Sequence, residues 1–224
     1  MKQKAEIQMA DIVFIGSFNP AIFSPAWFAS KKLIGETESE GSDVKVIHPD
    51  ITMFELPWFR FYTTRDHFSV LSEQEVYFSS VFDLAVGTFQ LLEHTPIQAM
   101  GINREFHIQC DSEKEWHDFG HLLAPQSPWE GILKKESALK KIEICEKYSP
   151  ENPLDGKLTV IVQPSNRVRF GVFFSINDHY SIDAQEKASG SKKIISRLQK
   201  KWKESNEKSE TIVSAIIDKF LKRS

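Results

Sequence analysis

The sequence predicts an α+β fold built on one largely antiparallel sheet. Strand-like segments follow one another in runs, and residues 158–176 have the alternating apolar pattern of a β-hairpin. Residues 72–95 instead carry apolar side chains at helical spacing. A chain of 224 residues suits one large domain or two fused halves.

The first segments predict a strand and a short helix. Residues 6–18 contain the apolar run IVFI, which indicates a buried strand that ends at Gly16. In the following FSPAWFASKKLI, Ser24 suits the N-cap of a helix and Pro25 suits its first turn. The polar stretch 35–43 then predicts a loop.

A long β region and an aromatic helix complete the first half. Residues 44–70 predict several strands, and Pro57 indicates an edge position or a bulge among them. Ser72 and Glu75 form a capping-box pattern, so we expect a helix that begins after Ser72 and carries the apolar positions of residues 77–92. Its wide apolar face is typical of a helix packed on a sheet.

The second half repeats this order and suggests an internal duplication. Residues 97–109 predict a strand, Ser112 caps a predicted helix, and a β region with the hairpin follows. Residues 1–96 and 97–224 would then each form a β-α-β-β-β-α half. Two such halves would join into one antiparallel sheet with helices packed on one face. The alternative is a single α+β domain without duplication.

The matching strand ends, IGSFNPAIF and MGINREFHI, carry two resemblances. The order of elements is similar to the duplicated, saddle-shaped sheets of the TATA-binding-protein-like class, a likeness of topology that implies no nucleic-acid function. GINREF after a long aromatic helix resembles an uncharacterised, sporadically distributed group of bacterial proteins of similar size. That group has no assigned activity, so the resemblance implies no catalytic residue.

Composition predicts a cytoplasmic protein. Hydrophobic residues make up 41% of the chain and charged residues 26%, which is typical of soluble globular proteins. The sequence has no apolar run of about 18 residues, so we expect no membrane span. It begins without the apolar core of a secretory signal. Its two cysteines, Cys110 and Cys145, indicate no disulfide framework.

A basic segment follows an acidic body. Residues 1–186 hold 17 basic and 27 acidic residues, whereas residues 187–203 hold seven basic residues and no acidic one. The chain from Ser191 predicts a helix, with a kink or break at 205–209. A basic amphipathic helix can bind nucleic acid, an anionic membrane or an acidic protein partner, or can simply present a solvated outer face. The basic residues concerned are Lys192, Lys193, Arg197, Lys200, Lys201 and Lys203.

Histidines and a cysteine cluster around residues 107–121. His117 and His121 are four residues apart, so they share one face of the predicted helix and could provide two zinc ligands. His107 or Cys110 could provide a third. A metal-dependent hydrolase is therefore one hypothesis for this segment.

Several features of the same segment disfavour metal chemistry. Asp118 stands where the H-E-x-x-H motif has a glutamate, and Gly120 weakens the helix by about 1 kcal/mol relative to alanine. Neither a G-x-S-x-G motif nor a glycine-rich phosphate loop occurs in the sequence. We therefore expect no catalytic residue, no metal and no cofactor.

The stretch FELPWFRFY concentrates five aromatic side chains in nine positions, 54–62. If it formed one strand, alternate residues would face opposite sides and part of this aromatic surface would remain exposed. Such a surface predicts a partner-binding site, and the alternative is a sheet covered on both faces. The candidate residues are Phe54, Trp58, Phe59, Phe61 and Tyr62.

These observations lead to three hypotheses about function. The first is a non-enzymatic protein–protein interaction subunit, an adaptor, accessory or regulatory component of a larger bacterial system that can also self-associate. The second is a nucleic-acid-binding module that uses the basic helix at 191–203. The third is the metal-dependent hydrolase centred on His117 and His121.

Overall fold

The computed structural model describes residues 1, 4–133, 137–149, 156–182 and 190–222. These residues form nine strands and five α-helices. The strands are β1 (Ile7–Gly16), β2 (Asp43–His48), β3 (Ile51–Leu56), β4 (Phe59–Thr64), β5 (His67–Ser72), β6 (Ile97–Gln109), β7 (Ile142–Lys147), β8 (Lys157–Pro164) and β9 (Gly171–Ser181). The helices are α1 (Pro25–Ser30), α2 (Glu36–Glu40), α3 (Phe78–Leu91), α4 (Glu113–Leu123) and α5 (Lys192–Leu221).

The strands join one antiparallel sheet in the order β2-β3-β4-β5-β1-β6-β9-β8-β7. β1 and β6 form the central pair, with Ile7 opposite His107 and Ile12 opposite Ile102. The predicted α+β class and the largely antiparallel sheet are confirmed. The internal duplication and the placement of all helices on one face stay predictions.

Alternate residues of the strands pack with the helices in two hydrophobic clusters. In the first cluster, the ring of Phe14 in β1 meets Phe89 of α3 edge to face, with 5.0 Å between ring centroids. In the second, Phe119 of α4 lies between Phe174 of β9 and Phe220 of α5. The two clusters bury most of the phenylalanine side chains in which the sequence is rich.

Arg104 of β6 is buried between the sheet and α5, with only 2% of its surface exposed. Its guanidinium donates hydrogen bonds to Asn206 of α5 at 2.6 Å and to Gln8 of β1 at 3.1 Å. It also lies over the ring of Phe78, 4.7 Å from the centroid, and 3.4 Å from a carboxylate oxygen of Glu210. The buried charge is therefore offset by amide oxygens, an aromatic face and a carboxylate, while Nε of Arg104 has no hydrogen-bond partner among the described residues.

The predicted helix starts are correct at two of three positions. The hydroxyl of Ser24 accepts from the amide of Trp27, and that of Ser112 accepts from the amide of Glu115, so both serines cap helices. The start predicted at Ser72 is wrong. Ser72 ends β5, its hydroxyl donates to the carbonyl of Trp58, and α3 begins only at Phe78.

Three local predictions differ from the structure. The stretch predicted as a loop at 35–43 contains α2. Pro57 occupies a tight turn between β3 and β4 instead of an edge or a bulge. α5 is one continuous helix, so the predicted break at 205–209 is wrong, because Ser205 and Ser209 are buried there as part of the packed face. No helix in the described ranges is long and apolar enough to cross a membrane.

Candidate functional site

The paired histidines of α4 border a small cavity. The ring centroids of His117 and His121 are 6.3 Å apart, and both side chains line a cavity of about 30 Å³ between α4, residues 138–139 and β8. Nε2 of His121 lies 2.8 Å from the side-chain amide of Gln126, which also donates to the carbonyl of Ser137. A cavity of this size has room for water-sized species only.

The other two predicted metal ligands lie elsewhere. Nδ1 of His107 is 2.7 Å from the hydroxyl of Ser165, and its ring packs on Phe173. Cys110 is buried in the second cluster, and this burial raises the pKa of its thiol to about 12. Across the described part of the chain, no three His, Cys, Asp or Glu side chains come close enough to hold a metal ion. The sequence cluster is therefore not a cluster in space.

The predicted aromatic surface is largely core. Phe54, Phe59 and Phe61 are at most 2% exposed, because the turn at residues 57–58 resets the alternation between β3 and β4. The alternation of a single strand, which would place Phe54 on the opposite side from Phe59 and Phe61, is therefore wrong for this stretch. Trp58 and Tyr62 keep partial exposure, and the indole of Trp58 donates to Glu38 of α2 at 2.7 Å.

The basic residues of α5 mostly have partners already. Lys192 pairs with Glu93 at 2.8 Å, Lys201 with Glu204 at 2.8 Å and Lys203 with Glu207 at 3.7 Å. The guanidinium of Arg197 donates to the carbonyl of Ser181 at 2.9 Å. Lys193 and Lys200 are exposed. Residues 187–189 of the basic segment lie outside the described residues. Much of the positive charge on this helix is therefore offset locally.

A polar cluster that the sequence did not reveal lies at the centre of the sheet. The hydroxyl of Ser69 in β5 donates to Asp11 of β1 at 2.8 Å, and the amide of Asn103 in β6 lies 3.4 Å from the same carboxylate. Asn177 of β9 donates in turn to Asn103. A side chain at Gly101 would collide with the Asn177 amide, so this glycine makes room for the cluster.

The carboxyl of Asp11 is electrostatically unusual. Burial raises its pKa to about 7; the hydrogen bonds from Ser69 and Asn103 act in the opposite direction, and the charge of Glu105 adds to the rise. Burial raises the pKa of Glu105 as well. The centre of the sheet therefore carries a carboxyl whose charge changes near neutral pH. The alternation of polar residues on adjacent strands was the only sequence signal for it.

An exposed apolar turn is the second feature that sequence reasoning missed. Trp129, Ile132 and Leu133 are 52%, 69% and 50% exposed. The amides of Ile132 and Leu133 both donate to the carbonyl of Trp129 at 3.1 Å, so one tight turn groups the three side chains. We call these residues the 129–133 segment. Trp129 and Leu133 also line a cavity of about 270 Å³.

The 129–133 segment adjoins the cavity of the two histidines, since Ala138 and Leu139 line both hollows. Together they form a largely apolar surface near α4. A scan against protein-family models finds no matching family, and a search of curated proteins finds no matching relative.

Proposed function

We propose that the protein is a non-enzymatic protein–protein interaction subunit that binds its partner through the 129–133 segment. The observation that carries the proposal is the exposure of Trp129, Ile132 and Leu133 in one hydrogen-bonded turn. Exposed apolar clusters on soluble proteins are typical of interaction sites, and tryptophan is enriched among the residues that dominate binding energy. The stretch FELPWFRFY, which the sequence favoured for this role, instead packs three of its aromatic side chains in the core.

The adjoining hollow indicates what the partner presents. The cavity of about 270 Å³ is lined by Ala124, Trp129, Leu133, Ala138 and Leu139, with polar atoms from Gln126, Ser137 and Lys140. A mainly apolar lining with few polar groups suits an apolar or aromatic anchor side chain. We therefore expect a protein partner that inserts such an anchor beside Trp129.

The two other hypotheses have less support. A nucleic-acid interface on α5 would need basic side chains that are free to contact phosphates, whereas Lys192, Lys201 and Lys203 already pair with carboxylates. A metal-dependent hydrolase would need at least a third ligand near His117 and His121, and both His107 and Cys110 are engaged elsewhere.

The test is a binding measurement on variants of the turn. A partner isolated by cross-linking in cells would be titrated by calorimetry against the wild type, Trp129→Ala and Ile132→Asp. We expect each variant to bind at least about tenfold more weakly, because truncating a buried anchor typically removes about 2 kcal/mol or more. Val76→Asp is the matched control, since Val76 is 76% exposed in another part of the chain. Equal affinity of all four proteins would refute the proposal.

A further inference from the structure

The outer strand β7 has a free edge whose orientation follows from one hydrogen bond. The amide of Tyr148 donates to the carbonyl of Gly156, one step beyond the Lys147–Lys157 pair of the β7–β8 ladder. In antiparallel pairs, hydrogen-bonded positions alternate. Alternation therefore turns the amides and carbonyls of Glu143, Cys145 and Lys147 away from β8. In the described part of the chain, no strand lies on that side.

The opposite edge of the sheet is protected in a way that β7 is not. In β2, the register with β3 shifts between Val44 and Val46, leaving Lys45 unpaired in an irregularity. Such a bulge disrupts the hydrogen-bond ladder of an edge strand and hinders pairing with another chain. β7 keeps an unbroken register with β8 from Ile142 to Lys147, and Ile144 is 58% exposed. The edge with the unbroken register is therefore the one able to accept a further strand.

The sequence of β7 is complementary to itself in one antiparallel register. If Cys145 lies opposite its own copy, Glu143 of each chain lies opposite Lys147 of the other, and all three residues turn their backbone groups toward the partner strand. A register centred on Glu143 or on Lys147 would place each of these residues opposite its own copy, so like charges would meet. A register that pairs Glu143 with Cys145 would place Lys141 opposite Lys147, which again brings like charges together. Like charges directly opposite each other are destabilising, so the register centred on Cys145 is favoured.

Two further contacts support this register. Lys147 lies directly opposite Lys157 within the chain, and a carboxylate from a second copy would offset that repulsion. Glu143 is held by Lys141 at 2.7 Å, so the added contact would extend an existing ion pair. On the other face, the Ile144 side chains of the two copies become diagonal neighbours, at a spacing that long side chains bridge.

We propose that two copies of this chain pair antiparallel through β7, with Cys145 on the two-fold axis, so that the two sheets become continuous. The interface is one strand wide on each side. An interface of this size is typical of weak, concentration-dependent association. The inference stands independently of the proposed function, because the 129–133 segment is not part of the strand pair.

The test uses two charge reversals, separately and mixed, in sedimentation velocity runs over a concentration series under reducing conditions. Glu143→Lys places two lysine pairs across the axis, and Lys147→Glu places two glutamate pairs there. We expect each variant to dimerise on the order of tenfold more weakly than the wild type. An equimolar mixture should recover the wild-type affinity, because the two lysines of the first variant then face the two glutamates of the second.

A cross-linking experiment checks the axis itself. Diamide accepts the two electrons and two protons that leave when two thiols join, and a hydrogen-bonded pair has Cα atoms about 5.5 Å apart, a spacing that a disulfide tolerates. We expect a disulfide-linked dimer that is lost in Cys145→Ser and kept in Cys110→Ser, since Cys110 is buried. A wild type that stays monomeric at every concentration, or a mixture that fails to recover, would overturn the proposal.

Discussion

Asp11 is held on the sheet by neutral donors, and this explains its raised pKa. The bonds that its carboxylate accepts come from the hydroxyl of Ser69 and the amide of Asn103, and the charge that acts on it is the carboxylate of Glu105. Neutral donors compensate only part of the hydration that the carboxylate loses on burial. The neutral form of Asp11 is therefore favoured up to a pKa of about 7.

This shift makes stability depend on pH in a defined direction. The folded chain holds the Asp11 proton up to about pH 7, whereas the ordinary pKa of an aspartate carboxyl is 3.8. Between these values the folded state binds more protons than the unfolded state, so the contribution of this group to the free energy of unfolding falls as pH rises. Ionised Asp11 is therefore destabilising above about pH 7.

The Asp11→Asn variant keeps the shape of the side chain and removes its ionisable group. We expect it to match the wild type near pH 4 and to be more stable at pH 8, by on the order of 2 kcal/mol after allowing for solvent screening. Urea unfolding at both pH values measures the difference. Asp83→Asn, at an exposed position of α3, is the control and should leave the free energy of unfolding unchanged at both pH values. Equal stability of Asp11→Asn and the wild type at pH 8 would contradict the shift.

Arg104 illustrates a buried charge that serves packing. Its guanidinium contacts Asn206, Gln8 and the ring of Phe78, and burial lowers its pKa. We expect Arg104→Ala to lower the free energy of unfolding by about 3 kcal/mol, because a large cavity and unpaired amides remain. Arg104→Met should lower it less, since it refills the volume. Denaturant titration of both variants checks the order, and the reverse order would show that refilling the volume does not stabilise the fold.

At the scale of elements, the N-cap residue predicted the start of a helix correctly where no strand pairing competes with the cap. Ser24 and Ser112 cap helices in the structure as their sequence context indicated. Ser72 carries the same pattern, yet it ends a strand, because pairing with β1 extends β5 to this residue and places Ser72 opposite Ala10. Tertiary pairing overrides a local signal there, and no window of sequence contains that information.

Two small polar residues lie buried within the continuous helix α5. Ser205 and Ser209 lie on the packed face, where the sequence suggested a break because serines disfavour helix interiors. The hydroxyl of Ser209 donates to the carbonyl of Ser205, but within the described residues the hydroxyl of Ser205 has no hydrogen-bond partner. The small serine side chains allow close packing of the helix, but burying the hydroxyl of Ser205 without a hydrogen-bond partner costs stability.

The unpartnered hydroxyl gives a matched pair of variants. Ser205→Ala should raise the free energy of unfolding by about 1 kcal/mol, because alanine favours helix and removes a buried polar group without a partner. Ser209→Ala should change it less, since it also removes a hydrogen bond. Thermal unfolding followed by circular dichroism compares the two. A Ser205→Ala variant less stable than the wild type would show that the hydroxyl is satisfied.

The edge strand β7 allows a further test with proline. Proline at position 145 removes an amide that points outward, whereas proline at 144 removes one that bonds β8. We expect Cys145→Pro to keep the wild-type melting temperature at low concentration and to lose dimerisation. Ile144→Pro should lower the melting temperature. If both prolines destabilise the chain equally, the assignment of inward and outward amides is wrong.

At the scale of the whole molecule, the sequence predicted the class of the fold better than its surfaces. Periodicity identifies strands, but the pairing of β1 with β6 joins residues far apart in the chain, such as Ile12 and Ile102, and leaves no local trace. The Asp11 cluster draws on β1, β5, β6 and β9, so it exists only after the sheet forms. The exposed residue Trp129 and the buried Phe61 carry the same hydrophobic signal, and only packing distinguishes them.

The central pair also determines how the molecule should unfold. β1 belongs to residues 1–96 and β6 to residues 97–224, and they pair along their length at the middle of the sheet. α3 and α5 add a second contact across this boundary, with the rings of Phe82 and Trp202 stacked at 5.4 Å. If the chain were divided after residue 96, the facing edges of β1 and β6 and the facing sides of α3 and α5 would become exposed.

We therefore expect one cooperative unfolding transition for the intact chain. Calorimetric and van't Hoff enthalpies should agree, and tryptophan fluorescence and far-ultraviolet circular dichroism should give coincident curves. Fragments 1–96 and 97–224 should each lack a cooperative transition alone and recover one when mixed, because β1 and β6 complete each other. A sharp thermal transition in either isolated fragment would show instead that this half folds by itself, and the two halves would then be separate domains joined at a sheet edge.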